Sequence, residues 1–120
     1  MTCTAGGSGA ADEPDPRDSL LVRRADDGAG VVVAFTGELD IATLAVAEEA
    51  VAGVERDGPG LLTMDLSGLD FVDSSGVRLV LRADTRAREA GRRLAVLLGH
   101  GPSRRLFEVL GLLTRLDVRD

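Results

Sequence analysis

Lysine, tryptophan and tyrosine are absent from this chain, and cysteine and histidine occur once each, as Cys3 and His100. A single cysteine excludes an internal disulfide and a cysteine metal cluster. Without lysine there is no Lys-Ser or Lys-Thr pair to close a phosphate-binding glycine loop. Phe35, Phe71 and Phe107 are the only aromatic residues, too few for a platform that stacks bases. All 14 basic residues are arginine, yet the net charge is -6. That acidic surplus disfavours sequence-independent contact with phosphate backbones, so no nucleic-acid partner is expected. No apolar run approaches the length of a membrane span. Residues 1–10 lack the basic and apolar regions of a signal peptide. The expectation is a soluble, cytoplasmic protein without a membrane partner.

What the chain does have is aliphatic. Its 120 residues suggest one domain, with a core of Val, Leu, Ile and Ala. Residues 1–19 are small, polar and acidic, with Pro14 and Pro16, and bury too little apolar surface to offset their ordering entropy. They read as a disordered tail, and residues 20–120 as the folded domain. Residues 20–24 and 31–35 are strand candidates joined by a Gly-rich turn, the pattern of a hairpin. Leu44, Ala47, Val51 and Val54 recur at helical steps, with Asp40 placed as N-cap. Residues 61–66 read as a strand, 67–73 as a loop and 75–90 as a helix with Gly91 at C′. A strand at 93–98, a helix at 103–110 and a strand at 115–118 complete a β-β-α-β-α-β-α-β order. Such alternation predicts an α/β fold with a mixed, mostly parallel central sheet.

The segment Asp73-Ser74-Ser75-Gly76 delivers two hydroxyls to a helix N-terminus at the C-terminal end of a strand. Open α/β folds place their sites there, and free N–H groups favour an anion. Either serine can serve simply as the N-cap. Gly76 removes a side chain from the first turn, which would let a partner approach the backbone. A catalytic serine needs a base. The one histidine lies in a Gly-flanked turn, and no glycine stands two residues before Ser74 as a nucleophile elbow requires. The expectation is therefore no enzyme; a serine phosphorylated by a kinase escapes this objection, because the kinase brings its own base, and that role is compatible with capping. Asp65, Asp70 and Asp73 are conceivable metal ligands, but carboxylates before a helix more often cap it, so neither metal nor cofactor is expected. Arg78, Arg82 and Arg86 stand four residues apart on one helix face.

These segments resemble the STAS domain, the fold of the anti-sigma factor antagonists. The matching motifs are Thr36-Gly37-Glu38-Leu39-Asp40, residues 61–66, Leu69-Asp70-Phe71-Val72-Asp73-Ser74-Ser75-Gly76, and Arg105-Leu106-Phe107-Glu108-Val109-Leu110-Gly111-Leu112. The likeness runs from about residue 20 to residue 118. It implies a protein that binds an anti-sigma factor serine kinase and so frees a sigma factor for transcription. The kinase would phosphorylate Ser74 and end the contact; a PP2C-type phosphatase would reset it. Asp40 and Asp73 match acidic family positions beside the acceptor, and Ser75 and Gly76 complete the contact surface. The family usually closes with a further helix after the last strand, whereas this sequence stops at Asp120. The expectation is a helix either absent or cut off, with one flank of the sheet then exposed or covered by a second copy in a homodimer. Two other readings stand beside this one. The first is a STAS module without the switch, in a stress-complex scaffold or a lipid transporter. The second is a nucleotide-binding or phosphoryl-transfer protein.

Overall fold

Buried and half-exposed residues alternate from Val31 to Phe35, the period-two pattern of a strand with one face on a core. This strand is the second of five. They are β1 (Leu20–Asp26), β2 (Val31–Leu39), β3 (Leu61–Val72), β4 (Arg93–Leu97) and β5 (Asp117–Arg119). The helices are α1 (Leu44–Arg56), α2 (Ser74–Glu89) and α3 (Pro102–Val109). The structure, a computed structural model, describes residues 19–26 and 28–119. All but the last residue of the expected tail, with Cys3, lies outside the described residues.

The sheet order is β1-β2-β3-β4-β5. β1 runs antiparallel to β2, and the other three pairs are parallel. The expected order and the mostly parallel sheet are both present. Val33, Met64 and Val96 lie in one row of the register and are fully buried. Ala47, Val51 and Val54 of α1 and Val80, Ala83 and Ala87 of α2 belong to the same core. The α1 stripe sits at the helical spacing read from the sequence, and the α2 residues recur at the same steps. Burying a Val or Leu side chain stabilises by about 1.5–3 kcal/mol, so these aliphatic rows supply most of the core, with Phe35 and Phe107 as its two buried aromatics. Gly91, at φ 71°, ends α2 as its expected C′ residue.

One boundary departs from expectation, and it matters for the site. Residues 67–72, read as a loop, continue β3. Their polar and glycine content argues for a loop locally. The partner decides otherwise, because β2 also continues, through Gly37 to Leu39. The two extensions pair across register shifts on either side of the Thr36–Gly37 pairings, and Gly37 has φ 107°. That conformation is open to glycine and costly for other residues.

β4 pairs with β3 only as far as Asp65↔Leu97, so the second half of β3 has a bare edge on that side. α3 packs against this projecting half. The buried Ser103 hydroxyl donates to the Leu66 carbonyl at 2.9 Å, satisfying an acceptor that β4 does not reach. Phe107, fully buried, anchors the same helix. Ser103→Ala is expected to destabilise the fold by about 1–3 kcal/mol, because it strands that carbonyl away from water. Urea denaturation with an unchanged m-value is the check.

Candidate functional site

The extended pairing of β2 and β3 ends at Glu38↔Phe71 and Leu39↔Val72. The Asp73 N–H then donates to the Leu39 carbonyl at 3.2 Å. Two segments more than thirty residues apart in sequence, Gly37–Asp40 and Asp73–Gly76, are thereby joined at one end of the sheet. The Asp40 and Asp73 carboxylates stand on the two sides of this joint, both partly exposed.

Each carboxylate already has a structural duty. Asp73 is the N-cap of α2, in extended conformation, and its Oδ1 accepts the Ser75 N–H at 2.8 Å. The cap expected of Ser74 or Ser75 therefore belongs to Asp73, whose carboxylate reaches the free amides and adds negative charge at the helix's positive end. Asp40 was expected to cap α1 directly. Instead α1 starts at Leu44, and the Asp40 Oδ1 accepts from the Ala42 and Thr43 N–H groups at 2.9 and 3.2 Å in the turn before it.

The two serines are unlike. Ser75 is buried, 5% exposed. Ser74 is the first residue of α2 and is exposed, and its hydroxyl has no hydrogen-bond partner among the described residues. Gly76 is also buried. A Cβ on it would lie 2.6 Å from Val72 Cγ2 and 2.9 Å from Leu39 Cδ2. The missing side chain thus lets α2 settle on the ends of β2 and β3. It does not open the backbone to a partner, as the sequence had suggested. Of the residues expected at a contact surface, Asp40, Asp73 and Ser74 reach solvent, whereas Ser75 and Gly76 lie beneath it. Ile41, 71% exposed, and Phe71, 47% exposed, add apolar surface at the same joint.

Thr43 is the residue that the sequence reading missed. It is fully buried. Its hydroxyl donates to the Glu38 carbonyl at 2.9 Å and accepts the Asp40 N–H at 3.0 Å, clamping the turn that carries Asp40. The signal was the Asp40-x-x-Thr43 spacing, in which each side chain can serve the other's backbone. Asp65, by contrast, stays outside this site. Its Oδ1 is taken by the Ser67 N–H and hydroxyl at 2.9 and 2.6 Å. Among the described residues no three His, Cys, Asp or Glu side chains form a metal-binding group, so Asp65, Asp70 and Asp73 do not converge. No hydrogen bond joins His100, exposed in its turn, to Ser74. Thr43→Val keeps the shape and removes both bonds. It is expected to cost about 1–3 kcal/mol and to speed amide exchange at Asp40, read by hydrogen-exchange NMR.

The geometry has known counterparts. A family model described as Mlab, STAS domain, matches residues 22–117. An anti-sigma-F factor antagonist, RsfB of Mycobacterium tuberculosis, is 33% identical over 95 residues, covering 79% of this chain and 77% of that protein. The crystal structure of an anti-sigma factor antagonist from Mycobacterium paratuberculosis superposes with a TM-score of 0.77 at 26% identity, over 84% of this chain and 86% of that one. The Bacillus cell fate determinant SpoIIAA, solved in its phosphorylated form, shares the fold with a TM-score of 0.64 at 22% identity, over 83% of this chain and 92% of that one. The chain therefore belongs to the STAS domain family, among the anti-sigma factor antagonists.

Proposed function

We propose that this antagonist binds an anti-sigma factor kinase through the Asp40–Ser74 joint and is switched off when that kinase phosphorylates Ser74. The observation that carries the reading is the Ser74 hydroxyl: exposed, at the first position of α2, and spared from capping because Asp73 caps. A phosphate there needs no rearrangement of the core. The kinase would transfer the γ-phosphoryl group of ATP to Ser74 Oγ, with ADP leaving and the hydroxyl proton passing to the kinase's base. A PP2C-type phosphatase would restore the hydroxyl by hydrolysis to inorganic phosphate. The setting is the cytoplasm, where kinase and sigma factor act, and among the described residues no helix is long and apolar enough to cross a membrane. That a protein of this fold exists in a phosphorylated form supports the reading.

Charge explains how one group could end binding. A phosphoserine adds nearly two negative charges beside Asp40 and Asp73. A partner carboxylate about 6 Å away would be repelled by about 1–5 kcal/mol for dielectrics between water and a protein surface. That is roughly 5-fold to several-thousand-fold in affinity. Ile41 and Phe71 would supply the apolar part of the unmodified contact.

Incubation with the anti-sigma kinases of the source organism and ATP, followed by mass spectrometry, tests the acceptor. Phosphate on Ser74 is expected; phosphate elsewhere or nowhere overturns the switch and leaves a STAS module of the non-switching kind. Ser74→Ala should keep kinase binding, and Ser74→Asp should weaken it at least threefold in calorimetry.

A further inference from the structure

Ser74, Arg78, Arg82 and Arg86 recur every four residues along α2, so they lie on one face of the helix. All four are exposed. Their surroundings differ. Arg86 is held by Glu55 of α1, whose Oε2 lies 2.9 Å from Nε, and the strip is neutralised at that end. Arg78 and Arg82, the two nearest Ser74, have no ion-pair or hydrogen-bond partner among the described residues. A groove of about 270 Å³ at Arg82 is lined by Glu48, Ala52 and Glu55 of α1 and by Leu79, Arg82 and Arg86 of α2. Glu48 is the one carboxylate lining the groove that is not committed to an arginine. In a chain of net charge -6, this is a local cationic strip that begins one helical turn from the acceptor serine.

We propose that the Arg78–Arg82 strip docks an acidic segment of the partner protein, and that phosphate on Ser74 releases the segment by taking Arg78 for itself. This rests on the reading of Ser74 as phosphoacceptor. The occupant follows from charge complementarity, because two unpaired guanidinium groups one helical turn apart, one of them lining the groove, match carboxylates spaced along a helix or an extended segment. The release follows from helix geometry. Four residues rise about 6 Å, within reach of an arginine side chain. An anion N-terminal to a cation at this spacing is the favourable order, and a phosphate at the first position also meets the helix dipole. The phosphate is tethered to the same turn, so it competes with the partner's carboxylate as an intramolecular ligand. Phosphorylation then does two things at once: it repels carboxylates at the joint and withdraws the cation that attracted them.

The test uses the full chain and a synthetic amphipathic peptide with glutamate at every fourth position. Chains compared are the unmodified protein, R78Q, R82Q, and chains with and without R78Q carrying phosphoserine installed at 74 during translation. In NMR titration at low salt, the Nε–Hε signals of Arg78 and Arg82 should shift ahead of those of Arg92 and Arg93. R78Q should weaken peptide binding about two- to fivefold, the range of an exposed charge pair. Phosphoserine should weaken it at least as much, with little further loss when R78Q is added. By ³¹P NMR the second ionisation of the phosphate, ordinarily near pH ~6, should fall lower in the phosphorylated protein and return upward with R78Q. Shifts spread evenly over all exposed arginines overturn the docking strip. A phosphate titration unchanged by R78Q overturns the capture. Because the phosphoserine is installed without a kinase, both outcomes are decided even if no kinase modifies Ser74, which would overturn only the preceding reading.

Discussion

The pairing of β2 with β3 beyond its register shifts is the constraint on which the site depends. Without it, Gly37–Asp40 and Asp73–Gly76 would be two unrelated connections, each leading from a strand to a helix. With it, Leu39 faces Val72, the Asp73 N–H reaches the Leu39 carbonyl, and Asp40 and Asp73 both stand at one end of the sheet. Gly76 belongs to the same constraint. Its missing side chain lets α2 start directly above Leu39 and Val72. A larger residue there would push α2 outward and carry Ser74 with it.

This arrangement divides labour between neighbouring residues. The Asp73 carboxylate caps α2 by accepting the Ser75 N–H, so the fold makes no demand on the Ser74 hydroxyl. Thr43 does the corresponding work beneath Asp40. A residue that can gain a large charge without disturbing stability is one whose bonds are all made by others. Under the proposed switch, phosphate on Ser74 would change what the surface presents, while the buried aliphatic rows beneath it would remain as they are.

α2 links the joint to the rest of the surface. Its buried stripe holds it to the sheet, and its exposed stripe carries cations away from Ser74 at four-residue steps. The Arg86–Glu55 pair ties α2 to α1 at the far end. A surface ion pair of this kind contributes little to stability, about 0–1 kcal/mol. Its consequence is that the unpaired charge of the strip is confined to the end nearest Ser74. α3 and Ser103 serve from the other side, covering the bare edge of β3 that would otherwise project unsupported toward the site.

The element order, the apolar stripe of α1, the C′ glycine of α2 and the strand-to-helix placement of Asp73-Ser74-Ser75-Gly76 were legible in the sequence, because each rests on local periodicity or local turn chemistry. So was the family, through two motifs at matching junctions. What the fold alone decided depends on partners distant in the chain. Residues 67–72 look like a loop until residues 36–39 lie beside them. Adjacent serines look equivalent until packing buries Ser75 and leaves Ser74 in solvent. Gly76 reads as an opening to the outside until Leu39 and Val72 are seen to fill the space. Arg78, Arg82 and Arg86 form one even row until Glu55 takes the last of them. Local pattern determined which groups arrive at the joint; burial and long-range pairing decided which of them is free to act.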